Sequence, residues 1–132
     1  MTVPGTIYEA IGGQDTVDQI AKNLYKYVAT EPILMEIFPP DLSEAERKQR
    51  LFLTQLFGGP QLYLEDRGHP MLRRRHLEFE VTDERKVLWL KCMNKSLEET
   101  GVEEPYRTAI FERLSKTAEH MVNTETNPIV PN

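Results

Sequence analysis

The sequence predicts an all-α fold, because its apolar residues recur at helical spacing almost from end to end. Capping side chains, prolines and glycines divide that pattern into segments of helical length. The one stretch that alternates like a strand, residues 78–81, is too short to build a sheet around. At 132 residues the chain has the length of about one domain. We therefore expect a single domain over residues 1–132, with loose tails at 1–5 and 124–132.

The first long helix is predicted over residues 16–30, with Asp15 or Thr16 as its N-cap. Its apolar side chains form one narrow stripe, made by Val17, Ile20, Ala21, Leu24 and Val28. A short helical turn then starts at Pro32 and stops at Pro39, because proline suits the first position of a helix and interrupts its interior.

The next helix is predicted from Ser43 to about Phe57, because Ser43 and Glu46 have the spacing of a capping box. A glycine pair ends it and opens a loop over residues 58–69, which is long enough to suggest a functional role.

The second half of the chain is predicted to hold one short helix and two long ones. The short helix starts at Pro70 and runs through His76. Thr82 is expected to cap a helix that reaches about Glu99, and Pro105 opens the last helix. The helix after Thr82 should be central and buried, because its apolar arc is wide and contains Trp89, Leu90, Cys92, Met93 and Leu97.

The composition argues against several classes of protein. Sixteen basic and twenty-one acidic residues give a net charge of −5, which argues against a nucleic-acid or anionic-membrane partner. A single cysteine excludes an internal disulfide and a multi-cysteine zinc site. The sequence has neither an uncharged apolar run of about 18 residues nor a signal-peptide pattern at its start, so we expect a cytoplasmic protein.

Three polar donors fall on or beside the predicted inner faces of the helices. Gln49 projects with Phe52 and Leu56, Tyr25 lies at the edge of its stripe, and Trp89 lies inside an apolar arc. A buried polar group without a partner costs roughly 1–3 kcal/mol, so each donor needs an acceptor. A backbone group or a buried water would serve Gln49, and Tyr25 could extend its hydroxyl to solvent. A bound ligand is the alternative that serves all three.

The three histidines have ordinary structural interpretations as well as functional ones. His69 could cap the short helix, and His120 lies near a helix C-terminus, where a cation is favoured. His76 borders an apolar segment, where a histidine is more often a core residue than a ligand. These histidines and Cys92 do not have the spacing of a zinc site, and a buried Cys92 would be unreactive.

One segment contains Gly58-Gly59-Pro60, Tyr63, Gly68-His69-Pro70, Leu72-Arg73, Arg75-His76 and Phe79 in order. Further landmarks are Phe38-Pro39 and Trp89-Leu90-Lys91-Cys92-Met93, in a match that extends from Tyr8 to Asn123. In this order and spacing, the residues resemble the group II truncated haemoglobins of bacteria and plants. The resemblance implies a two-over-two sandwich of helices that encloses haem b, iron protoporphyrin IX.

The resemblance also implies roles for individual residues. It makes His76 the proximal ligand of the haem iron. The distal ligand-binding residues would be Tyr25, Gln49 and Trp89. Because a tyrosine hydroxyl can both donate and accept, Tyr25 could donate to the ligand while it accepts from the Gln49 amide. The haem pocket would be lined by Phe38, Ala45, Phe52, Leu72 and Phe79. The haem propionates would meet Lys48, Tyr63 and Arg75.

The function implied by this resemblance is the binding of oxygen and other diatomic ligands, such as CO and NO. Two or three donors that face the bound oxygen would make its release slow. A haem enzyme, with low-level peroxidase or nitric-oxide dioxygenase activity, and an oxygen or redox sensor are the alternatives. A haem-free helical interaction module would leave the three inward donors without an acceptor. A reductase partner is possible under the enzyme alternative, and the chain would be a monomer or a weak homodimer.

Overall fold

The structure is a computed structural model that describes residues 6–60 and 82–121. These ranges contain helices and no strand, which confirms the predicted all-α class. In chain order the helices are α1 (Ile7–Ile11), α2 (Gln14–Val28), α3 (Pro32–Met35), α4 (Ser43–Leu56), α5 (Asp83–Thr100) and α6 (Tyr106–Met121). The predicted short helix at 70–76, the strand-like residues 78–81 and both tails lie outside the described residues. No helix in the described ranges is long and apolar enough to cross a membrane.

The packing of α2 on α5 forms the centre of the fold. The predicted stripe on α2 is fully buried and consists of Val17, Ile20, Ala21, Leu24 and Val28. Two side-chain hydrogen bonds join the helices where they cross. Ser96 Oγ donates to the carbonyl oxygen of Ile20 at 2.6 Å, and Asn23 Nδ2 donates to Thr100 Oγ1 at 3.0 Å. Because these polar groups satisfy each other, they can be buried among apolar side chains without the cost of an unmet hydrogen bond.

The flanking helices complete the core. Helix α4 packs on α2 and α6 packs on α5. They bury Leu53, Phe57, Ile110 and Leu114 against the central pair. Burying such side chains supplies about 1.5–3 kcal/mol each in transfer free energy, so this core is the main source of stability.

The predicted N-cap of α2 is wrong. The helix begins at Gln14, and Gly13 is the N-cap, without a side-chain bond. Gly13 has a φ of 74°, a conformation that side-chain-bearing residues rarely adopt. Thr16 does not cap the helix either, because its hydroxyl donates to the carbonyl oxygen of Ile11 at 2.8 Å. The chain therefore enters α2 through a glycine turn instead of a polar cap.

The predicted capping box of α4 is also wrong. Ser43 is the first helical residue and Leu42 occupies the N-cap position, without a side-chain bond. The Ser43 N–H instead donates to Asp41 Oδ1 at 2.9 Å. The upstream carboxylate therefore accepts from a backbone N–H that has no acceptor within the helix. The cap predicted for α5 is confirmed, since Thr82 Oγ1 accepts from the N–H of Arg85 at 3.1 Å.

Helix α1, which the sequence analysis did not predict, packs on the end of α4. The Tyr8 N–H donates to the carbonyl oxygen of Phe57 at 2.9 Å. The Tyr8 ring lies so close to Gly59 that an added Cβ would be 2.7 Å from it. Glycine is therefore required at position 59 for α1 to reach the end of α4.

Candidate ligand pocket

Tyr25 is buried on α2, with 7 % of its surface exposed. Burial raises the pKa of its hydroxyl above the ordinary value, and the charge of Glu46 raises it further. The hydroxyl is therefore protonated at neutral pH and available as a hydrogen-bond donor. The alternative in which Tyr25 extends to solvent is wrong, because α4 packs beside this part of α2.

The Tyr25 hydroxyl is paired with Gln49 of α4. Tyr25 Oη donates to Gln49 Oε1 at 3.4 Å. This direction is the reverse of the prediction, in which Gln49 was the donor. Gln49 is half-buried, and its amide Nε2 makes no hydrogen bond to a residue in the described ranges. Among the described residues, the Gln49 N–H groups therefore have no protein acceptor.

An aromatic contact holds Tyr25 from the other side. The ring of Phe38 meets the ring of Tyr25 edge to face, with centroids 5.9 Å apart and planes at 87°. This is a preferred geometry for aromatic pairs. Phe38 is half-buried, as are two other predicted pocket residues that pack against the same core, Ala45 and Phe52.

Trp89 lies at the border of the core and not inside it. It is half-buried on α5 and packs against the cluster that contains Tyr25. Its indole N–H has no hydrogen-bond partner among residues 6–60 and 82–121. The predicted deep burial applies instead to its neighbours Cys92 and Met93. Burial raises the pKa of the Cys92 thiol, so this group stays protonated, in agreement with its predicted inertness.

Lys48 precedes Gln49 on α4 and is half-buried. It forms no ion pair with another residue of the described ranges, so its charge is available to an anionic group. Within those ranges, no group of three His, Cys, Asp or Glu side chains could hold a metal ion.

The structure brings together part of the predicted site. Tyr25 contacts Gln49 and Phe38 directly, while Trp89 packs on the same core. The remaining predicted site residues lie outside the described residues and are His76, Leu72, Phe79, Tyr63 and Arg75. His69 is also outside them, and the same holds for the side chain of His120.

Two charged residues beside this region were missed by the sequence analysis. Glu46 acts electrostatically on Tyr25. Arg85 is buried, with 9 % of its surface exposed, and its Nη2 lies 2.8 Å from Glu36 Oε2. One signal was present in the sequence, since Arg85 is four residues before Trp89 and therefore on the same side of α5.

Three comparisons place the chain among known proteins. Residues 6–123 match the family model described as bacterial-like globin. The chain is 51% identical over 116 residues to the group 2 truncated haemoglobin YjbI of Bacillus subtilis (strain 168), covering 88% of this chain and 87% of that protein.

Solved structures give the same result. The group II truncated haemoglobin from Bacillus anthracis superposes with a TM-score of 0.92 at 49% identity, covering 97% of this chain and 98% of that one. The truncated oxygen-avid haemoglobin from Bacillus subtilis superposes with a TM-score of 0.87 at 50% identity, covering 90% and 100% of the two chains. These matches confirm the predicted two-over-two helical fold.

Proposed function

Because the chain belongs to the bacterial-like globins, and within them to the group II truncated haemoglobins, we propose that it binds oxygen tightly and releases it slowly. Membership of this family implies a globin that holds haem and binds diatomic gases. The finer proposal concerns how strongly this pocket retains oxygen. It is supported by the similarity to a haemoglobin described as oxygen-avid.

The observation that carries the proposal is the hydrogen bond from Tyr25 to Gln49. It satisfies the carbonyl oxygen of Gln49 and leaves the amide N–H groups without an acceptor among residues 6–60 and 82–121. The indole N–H of Trp89 is a second donor without a partner in the described part of the chain. These N–H groups can stabilise a bound molecule that carries partial negative charge by donating hydrogen bonds to it.

These side chains fit a haem pocket as well as a diatomic ligand. When bound, haem supplies the iron at which the ligand coordinates. His76 would hold the iron from the proximal side, and the walls would be formed by Phe38, Ala45, Phe52, Leu72 and Phe79. Lys48, Tyr63 and Arg75 would pair with the propionates, since cations and hydroxyl donors suit carboxylates.

In this proposal the donors act by holding the ligand once it has entered. A hydrogen bond to a ligand contributes roughly 1–3 kcal/mol, equivalent to about 5- to 150-fold in affinity, and most such effects appear in the dissociation rate. Ala45 places no bulky side chain at the entrance, so entry stays fast. Tyr25 contributes by orienting the Gln49 amide.

Oxygen kinetics of the purified haem-loaded protein test the proposal. A Soret absorption band must first be present, and we expect slow oxygen dissociation that becomes faster when Tyr25 or Trp89 loses its donor. Fast release by the wild-type protein, unaltered by either change, would contradict the proposal.

A further inference from the structure

The guanidinium of Arg85 is buried between α3 and the start of α5. Its Nη2 lies 2.8 Å from Glu36 Oε2, and its Nε donates to the carbonyl oxygen of Ile33 at 3.3 Å. Ile33 belongs to α3, and Glu36 directly follows that helix. One side chain of α5 therefore holds the α3 segment at two points.

Both segments joined by Arg85 lead into the ligand pocket. Trp89 follows Arg85 by four residues on α5, about one helical turn, so the two lie on one side of the helix. Phe38 follows Glu36 by two residues, and its ring packs on Tyr25. Arg85 is thus placed where a shift of either segment would move an aromatic wall of the pocket.

The two contacts that Arg85 makes with the α3 segment differ in character. The Arg85 side chain is 10% exposed, whereas that of Glu36 is 63% exposed, so the ion pair is open to solvent on the glutamate side. The bond to the Ile33 carbonyl is a charge-assisted contact with the backbone and fixes α3 itself. Only the planar fork of an arginine supplies several donors in fixed directions, so lysine cannot replace both contacts.

We propose that Arg85 is a positioning residue of the pocket, which fixes Trp89 relative to Phe38 by tying α5 to the α3 segment. This inference rests on the function proposed above, since it assigns Arg85 an effect on oxygen release through Trp89. It also makes a claim about geometry that does not depend on oxygen.

Trp89 is the only tryptophan of the chain, so time-resolved tryptophan fluorescence of the haem-loaded protein reports on this residue alone. Energy transfer to the haem shortens the fluorescence lifetime in a manner that depends on distance and orientation. In Arg85→Met we expect a longer-lived component, because Trp89 is no longer held in one position. Oxygen dissociation should become about 3- to 10-fold faster, less than for complete loss of a donor, while association stays within about twofold.

Two further variants complete the series. Arg85→Lys should give changes in the same direction but smaller, because lysine can keep only one contact. Arg107→Met is the matched control. Arg107 lies on α6 and forms an exposed ion pair, in which its Nε lies 3.3 Å from Glu104 Oε1. This variant should leave both the fluorescence decay and the oxygen rates unchanged.

Tyr25→Phe, measured alongside, separates this inference from the proposed function. If Tyr25→Phe speeds oxygen release while Arg85→Met alters neither release nor decay, the role of Arg85 is refuted. If Tyr25→Phe does not change the rate of oxygen release, the proposed function fails. The fluorescence decay of Arg85→Met then tests by itself whether Arg85 positions Trp89. If Arg85→Met does not fold, the Arg85→Lys variant tests the proposal instead. A tryptophan fluorescence decay in Arg85→Lys equal to that of the wild type would overturn the proposal.

Discussion

The hydroxyl oxygen of Tyr25 lies 3.4 Å from the side-chain carbonyl oxygen of Gln49, across the contact between α2 and α4. The bond fixes which end of the Gln49 amide is occupied, and the other end has no acceptor among the described residues. It also offsets the cost of removing the Tyr25 hydroxyl and the Gln49 carbonyl oxygen from water.

Tyr25→Phe removes the hydroxyl but keeps the ring that packs on Phe38. We expect oxygen dissociation to become about 5- to 150-fold faster, because the Gln49 amide is no longer held in place and a hydrogen bond to the ligand of roughly 1–3 kcal/mol is lost. Stopped-flow measurement of oxygen displacement gives the rate. Tyr27→Phe is the matched control, because Tyr27 lies on the same helix and donates to Glu99 at the surface. Equal rates in the two variants would show that Tyr25 does not act on the ligand.

Trp89→Phe removes the indole N–H and keeps an aromatic side chain at the border of the core. Oxygen dissociation should again rise by about 5- to 150-fold, while association changes much less. The double variant with Tyr25→Phe is expected to be non-additive, because the Trp89 indole and the Gln49 amide that Tyr25 orients would donate to the same ligand. Strictly additive effects in this double variant would indicate that the two side chains act independently.

His76→Ala should yield protein with little haem, and added imidazole should restore the haem spectrum. Imidazole can replace the missing side chain because a histidine ring nitrogen is the expected ligand to the iron. Absorption spectra of the purified variant, with and without imidazole, provide the measurement. His69→Ala serves as the control and should retain haem, whereas a wild-type spectrum for His76→Ala would remove His76 from the site.

Lys48→Ala should speed haem loss by about fivefold or less, since exposed ion pairs contribute about 1 kcal/mol or less. The same is expected of Arg75→Ala. Transfer of haem to an excess of an acceptor globin measures this rate. Oxygen kinetics should remain close to wild type in both variants, and a large change in oxygen release would place these side chains at the ligand instead of the propionates.

The unfolding free energy should decrease above about pH 10 in part because of Tyr25. Burial raises the pKa of this residue above its ordinary value of 10.0, so the unfolded chain loses the proton first as the pH rises. The stabilisation is complete below pH 10 and is lost at a rate of up to about 1.4 kcal/mol per pH unit above it. Urea unfolding at several alkaline pH values, compared between wild type and Tyr25→Phe, provides the test. A Tyr25→Phe variant with the same alkaline slope would contradict this account.

Helical periodicity predicted the buried stripe of α2 and the start of α5 at Thr82, because both depend on residues close together in sequence. The start of α2 was missed because the positive φ of Gly13 is a property of the whole turn. The burial of Tyr25 depends on α4, which no local pattern reveals. Arg85 was overlooked for the same reason, since its partners Glu36 and Ile33 are 49 and 52 residues away in the chain.

The direct packing of α2 on α5 joins distant parts of the chain. The bonds from Ser96 to Ile20 and from Asn23 to Thr100 join residues 76 and 77 apart in sequence. Through these two helices, Tyr25 and Trp89 reach one core. We expect this core to stay folded when haem is absent, so that the rate of haem uptake depends on haem concentration more than on the refolding of the chain.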